Sequence, residues 1–469
     1  MEVQITVVVL YLVVVFAVGV FASRMIKDAT DFLLAGRRLG LLLATATLAA
    51  THFGGGFVMG GGQDGFRFGL SGFAFAIGTG LGLITLGLVS AMPLRKLRLY
   101  TVPDYLELRY NSKFVRLLGT LLSLVAIVGI IAAQVGASKG ALSIFGISPQ
   151  AGAVIAMLLF IAYTTFSGMW GVTLTDGVQL LIILIGLPVA AIAGINHAGG
   201  WAAMQASIAA LNLPGGAESF FSPVGRGVSV MLGIIIPVIM YDLVGQDFYQ
   251  RLFSAKDEKT AKNAAILAGF MLIIFGVFPA ICGMVAKAIF GNTIEAAQAL
   301  PKLITTVLPV WVGSIFVAAI LAAVMSTADS LLTAGTSHIV NDIYIKTLHP
   351  EAAGDTKKLL LISRIWTVIL GVAALVIALS IPGIIKILIY SYTMYASGVF
   401  VPVVAGLFWK RGNAQGAIAG IIFGALAGLL GLLKVFSYGA IPNIVVGGLI
   451  SLAAYVIVSL LTPPPQSQS

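Results

Sequence analysis

The sequence predicts an all-α polytopic membrane protein, and three observations carry that prediction: composition, the length of the apolar runs, and the placing of the charges. Of 469 residues, 59% are hydrophobic and only 9% are charged, with a mean hydropathy of +1.06. A water-soluble chain of this size carries about a quarter of its residues charged, so lipid must stand in for much of the solvent. Apolar runs of about 20 residues, the length that crosses a hydrocarbon core, recur from one end to the other. They are too long and too continuous for the alternating pattern of an outer-membrane barrel.

Taken in order, the runs fall at 3–23, 40–62, 70–92, 114–144, 150–169, 174–194, 228–249, 263–289, 308–335, 359–380, 384–408, 415–434 and 441–461, about 13 transmembrane helices. The first is preceded only by Glu2, without the basic leader or small-residue cleavage site of a signal peptide. Arg24 and Lys27 follow it, so it is expected to remain as a helix with its N-terminus outside. On that topology the cytoplasmic loops hold Arg24, Lys27, Arg37 and Arg38, then Arg95, Lys96, Arg98, Arg109, Lys113 and Arg116. Arg251, Lys256, Lys259 and Lys262 come next, then Lys346, Lys357, Lys358 and Arg364, then Lys410 and Arg411. That is about 20 of the 27 basic residues, whereas the longest opposite loop, 195–227, carries only Arg226. The net charge of +10 therefore reports topology and not a nucleic-acid surface. An odd number of spans puts the C-terminus in the cytoplasm, and 462–469, with Pro463, Pro464 and Pro465, reads as a short disordered tail. Cys282 is the single cysteine and lies in an apolar run, so neither an internal disulfide nor a metal cluster is available. Residues 1–469 form one transmembrane domain with no soluble insertion long enough to fold alone.

Three places in the runs carry chemistry. Gly54-Gly55-Gly56 and Gly60-Gly61-Gly62 share the second run. Glycines let membrane helices approach closely, but two triplets in one span also suit an unwound middle, whose freed carbonyls need protein, water or an ion. The glycines alone leave these two readings level. In the run at 308–335, Ala323, Ser326, Thr327 and Ser330 share one helix face by their spacing, with Asp329 beside them. A lone hydroxyl there would bond back to a carbonyl one turn earlier. Three hydroxyls with a carboxylate fit that account poorly and suit a hard alkali cation, which takes oxygen ligands. Asp176 opens the sixth run and reads either as an interface carboxylate or as part of a cation site.

These residues stand in an order that resembles the sodium/solute symporters, a family of proline, sugar and choline transporters. Asp31-Phe32-Leu33-Leu34-Ala35-Gly36-Arg37-Arg38 resembles the loop after that family's extra first helix, and Tyr100-Thr101-Val102-Pro103-Asp104-Tyr105 its cytoplasmic T-[VIL]-P-[DE]-[YF] element. Gly168-Met169-Trp170-Gly171 with Thr175-Asp176-Gly177-Val178-Gln179 is similar to its GG…TD-x-x-Q stretch. Ala323 to Ser330 is similar to its sodium-site helix, and Gly406-Leu407-Phe408-Trp409-Lys410 to the GLFWK closing a later core helix.

The resemblance implies a leucine-transporter-like core of five plus five inverted helices with a discontinuous helix. The extra first helix would be 3–23, the core 40–408, and two peripheral helices 415–461. It implies a sodium site from the carbonyls of Ala49, His52 and Ala323 with the hydroxyls of Ser326 and Thr327. A second cation site would use Asp176, Ser326, Asp329 and Ser330. The His52 imidazole is expected to be incidental to its carbonyl, with proton relay through His52, Asp176 and Asp329 as the other reading. Solute-pocket candidates are Thr51, Phe53, Gly56, Phe73, Ile77, Gln134, Tyr241 and Asp242.

Val238 and Ile389 stand where sugar members place an asparagine and a glutamine, which argues against a sugar. Gly245 stands where choline members place a tryptophan, although Tyr390, Tyr392 and Tyr395 lie nearby in the chain. A small polar solute, an amino acid or small carboxylate foremost, is therefore expected. It would be imported across the plasma membrane by sodium-coupled alternating access, with the lipid bilayer as surroundings and sodium as the only coupling ion. Proton coupling on the same fold and a solute-gated channel or sensor are the alternatives. No cofactor, nucleic acid or obligate protein partner is implied. An enzyme is not expected, because no nucleophile–base pair, metal cluster or phosphate-cradling loop is present.

Overall fold

Twenty-one residues, uncharged after Glu2, form the first helix, α1 (Glu2–Ala22). The structure, a computed structural model, describes residues 2–22, 24, 31, 34–164, 169–351, 356–439 and 441–465. Lys27, Phe32, Leu33, Gly168 and the tail from 466, all singled out from the sequence, lie outside these residues.

The second expected span is two helices, α2 (Leu41–His52) and α3 (Gly61–Phe68), joined through Phe53, Gly54 and a π-helical turn Gly55–Gly60. Twelve residues rise only about 18 Å, so α2 crosses a bilayer only together with α3. Gly69, at φ +67°, ends α3 before the third span, α4 (Ala74–Val89). The chain continues through α5 (Lys113–Leu142), α6 (Pro149–Thr164) and α7 (Met169–His197). The seventh span is again divided, into α8 (Val228–Asp242) and α9 (Gln246–Ser254), bent by 44°. Then follow α10 (Glu258–Phe275) and α11 (Val277–Phe290), parted at Gly276, and α12 (Val310–Ser337). The last four are α13 (Thr356–Ser380), α14 (Ile384–Phe408), α15 (Ala414–Leu432) and α16 (Asn443–Leu461).

The fold class is as expected. Among the described residues the one strand-like pairing is an isolated bridge between Leu39 and Ala255. Among the described residues, nine helical segments are long and apolar enough to cross a membrane, ten with α8–α9 counted, and three shorter apolar helices accompany them. Every one of the runs read from the sequence meets one of these segments. The discontinuous helix read from the glycine triplets has a counterpart five spans later, where the chain is again interrupted at Leu243–Gly245.

The loops expected on one side of the membrane do meet on one face. Arg37 donates to the carbonyl of Arg98 at 2.8 Å, and Arg95 to that of Ala255 at 2.7 Å. Lys346 pairs with Asp104 at 2.6 Å, and Arg109 ties the carbonyls of Gly406 (2.7 Å) and Trp409 (2.8 Å). On the opposite face Arg226, from the long loop, pairs with Asp64 of α3 at 3.0 Å and lies 3.8 Å over the Phe68 ring.

The core runs through α12, most of whose residues are buried. Its extension, a π-helix His338–Leu348, is pinned to α5 where His338 bridges Ser123 Oγ (3.1 Å) and Asp342 Oδ2 (2.8 Å). Cys282 is fully buried in α11, against the carbonyl of Leu187 in α7.

Candidate functional site

The first break forms because Gly54, at φ −83° and ψ −149°, leaves helical space while Phe53 still closes on the Ala49 carbonyl at 3.1 Å. The amide freed at Gly55 is caught by Gln134 Oε1 of α5 at 2.8 Å. Satisfying it matters, since an orphaned amide at bilayer depth costs several kcal/mol. A Cβ at Gly54 would lie 2.8 Å from Thr327 Oγ1, and one at Gly55 2.6 Å from the Ala137 Cβ. The triplet therefore serves both sequence readings, since it unwinds the helix and also lets the break touch α12 and α5.

In the Ser326 helix, α12, Thr327 lies against the break. Thr327 Oγ1 donates to the Ala323 carbonyl at 3.0 Å and Ser330 Oγ to the Ser326 carbonyl at 3.0 Å, so two of the three hydroxyls do bond back along their own helix. Ser326 does not. Its Oγ donates to Asp176 Oδ1 at 2.7 Å, and Thr47 of α2 donates to Oδ2 at 2.8 Å. Asp176 is 3% exposed and joins α7, α12 and α2.

One residue of this group was misplaced from the sequence. Arg251, counted with the loop positives, is 1% exposed in α9. Its guanidinium donates to Ser330 Oγ (3.3 Å), to the Thr47 carbonyl (3.2 Å) and to the Asp247 carbonyl (3.0 Å), with Asp176 Oδ2 at 3.9 Å. Asp329, 1% exposed, also acts on it electrostatically. Asp176, Ser326, Asp329 and Ser330 therefore gather around a fixed cation. No signal in the sequence marked Arg251, because 228–249 reads as one continuous run and a basic residue just past its end is normally solvated.

The solute candidates fall into two groups. Around the first break, Thr51 donates to the Thr47 carbonyl at 2.7 Å, and Phe53 packs on Phe57 with ring centres 4.5 Å apart. Gly56 faces Phe75, and Gln134 holds Gly55. At the second break the Tyr241 hydroxyl donates to Asp247 Oδ1 at 3.0 Å, and its ring stacks on Tyr392 at 4.1 Å. Tyr395 stands edge-on to Tyr241 and donates to the Val244 carbonyl at 3.0 Å, while Tyr390 lies under Lys386 instead.

The two groups meet at His52 and Asp242, whose Nε2 and Oδ2 are 3.4 Å apart, with the imidazole stacked on Phe248 at 4.6 Å. The imidazole thus lies beside a buried carboxylate, with no hydrogen bond between them among the described residues. Phe73 and Ile77 are half-buried at the Gly69–Phe73 turn and the first turn of α4, and the described contacts link neither to the breaks. Asp247 and Phe248 were not read from the sequence, although a second carboxylate beside the interrupted run could have flagged the former.

Known proteins resemble this chain over nearly its whole length. A family model described as the sodium:solute symporter family matches residues 32–424. The sodium/pantothenate symporter of Escherichia coli (strain K12) is 29% identical, covering 95% of this chain and 94% of the relative. The high-affinity proline transporter PutP of Bacillus subtilis (strain 168) is 30% identical over 96% of each. A substrate-bound, outward-open structure of a sodium-coupled sialic acid symporter superposes with a TM-score of 0.82, at 22% identity and 99% coverage of both chains.

Proposed function

This chain belongs to the sodium:solute symporter family, and from that premise we propose that it imports a small organic solute by sodium-coupled alternating access. One observation carries the reading: the break at Gly54 lies against Thr327, on the helix face that also presents Ser326 and Ala323. A hard monovalent cation held by the carbonyls of Ala49, His52 and Ala323 and the hydroxyls of Ser326 and Thr327 would bridge α2 and α12. Ion binding would then favour one arrangement of these helices over another. Coupling needs only that sodium and solute each prefer the same state, and the effect is reciprocal. An inward-negative potential adds about 2.3 kcal/mol per 100 mV for each charge carried.

Asp176, Ser326, Asp329 and Ser330 make a second cation site in this proposal. A cation there competes with Arg251 for Asp176, so its occupancy should alternate with the guanidinium contact. The basic face is read as cytoplasmic, with the N-terminus outside and the plasma membrane as location. Relatives named for pantothenate and for proline leave the solute open between amino acid and carboxylate. Proton coupling is the second reading, favoured by the buried His52–Asp242 contact.

The test is uptake of radiolabelled amino acids and small carboxylates into proteoliposomes, with and without an inward sodium gradient. Sodium-driven accumulation is expected, and Ser326→Ala and Thr327→Ala should each abolish most of it. Accumulation driven equally well by a proton gradient alone and untouched by either substitution would sink the sodium assignment.

A further inference from the structure

Four carboxylates lie buried around the two breaks, those of Asp176, Asp242, Asp247 and Asp329, each 5% exposed or less. Arg251 serves three of them, acting on Asp176, Asp247 and Asp329. Asp242 is the exception. It is 0% exposed, and neither of its oxygens has a hydrogen bond among the described residues. A second buried carboxylate, Asp247, stands five residues on. His52 Nε2 stands 3.4 Å away, past the ordinary N–H···O range of about 2.7–3.2 Å, and is itself without a hydrogen bond. A buried charge is normally held by an opposite charge or by several donors, so Asp242 is set to receive a cation.

The surroundings say which kind. A hard metal ion needs several oxygens, but the Tyr241 hydroxyl is already given to Asp247. What the site offers is aromatic. Tyr241, next to Asp242 in the chain, is stacked on Tyr392 at 4.1 Å, and Phe248 backs His52. Gly82 of α4 packs directly against the carboxylate, where a Cβ would lie 2.3 Å from Oδ2. Rings and one carboxylate are the surroundings that hold an organic ammonium group. Resting on the symporter reading above, we propose that the transported solute carries a cationic nitrogen and that Asp242, at the end of α8, is its counter-charge. Solute bound there touches the second break while sodium holds the first, so each ligand stabilises one of the two interrupted helices.

The test uses the full chain in proteoliposomes under an inward sodium gradient. The probes are L-proline, L-alanine and glycine betaine on one side, and L-lactate and pyruvate, which have no nitrogen, on the other. Uptake should be confined to the nitrogen-bearing solutes. Asp242→Asn should raise their KM tenfold or more, with Asp242→Glu recovering part of the loss. The sodium-dependent rise in thermal midpoint of the purified variants reports whether fold and ion site survive. If Asp242→Asn fails to fold, Gly82→Ala, which crowds the carboxylate, should raise KM for the same solutes. Sodium-driven uptake of lactate or pyruvate, or an unchanged KM in Asp242→Asn, would overturn the inference and leave the symport reading standing. Uptake driven by protons alone would overturn the symport reading, and this inference with it.

Discussion

Arg251 holds most of the buried charge together. Its contacts reach α2 through the Thr47 carbonyl, α12 through Ser330 and α7 through Asp176. Replacing it with glutamine would strand carboxylates that have left water, a loss of about 3–5 kcal/mol for a buried pair broken on one side. A large fall in thermal midpoint is therefore expected for Arg251→Gln in detergent. Asp176→Asn added to it should restore part of that fall, because one stranded charge is then removed. An unchanged midpoint would mean that water reaches the guanidinium. Residues like this are hard to read from a chain. Ser326, Thr327 and Asp176 announced themselves as polar atoms inside apolar runs, whereas Arg251 sits just past a run's end, where a basic side chain is normally solvated. Its burial follows from α9 continuing a broken span, which composition does not disclose.

The interrupted helices were unequally legible for a related reason. The first break carries two glycine triplets, and glycine is the residue that leaves helical space at least cost. The second carries only Gly245, behind the apolar pair Leu243 and Val244, so 228–249 read as one continuous run. Its bend is enforced by partners outside the span, with Tyr395 on the Val244 carbonyl and Gln246 accepting the Val102 amide at 2.9 Å. A methyl group at the first break tests how tightly such an element is built. Gly55→Ala would press on Ala137 and on the Gln134 amide, an overpacking of about 1–3 kcal/mol. Uptake should fall steeply while the protein still assembles. Gly233→Ala in α8, with open space around it, should leave uptake unchanged, and equal losses in both variants would remove the break from the argument.

At the scale of the whole molecule, the apolar runs, their order and the face carrying the basic loops were all legible, because hydropathy and charge act over whole segments. How the opposite face closes was not, since it depends on a pairing 162 residues apart in the chain, between Asp64 and Arg226. That ion pair joins the long loop to the half of the broken span nearest it, and it is half-screened from water, with side chains 12% and 21% exposed. On the proposed orientation we take this pair as a contact of the outer gate. Breaking it should populate outward-facing states and raise apparent sodium affinity measured from outside by a few-fold. In a double-mutant cycle Asp64→Ala and Arg226→Ala should couple by about 1 kcal/mol, near the upper end for exposed pairs. Strictly additive effects would deny the contact any part in gating. The burial of Cys282 has a practical consequence for following such motions. With its only native thiol sealed between α11 and α7, the unaltered chain should stay dark to maleimide reagents. A pair of cysteines introduced on the two faces would then take fluorophores or spin labels alone, and the distance between them could be read during turnover.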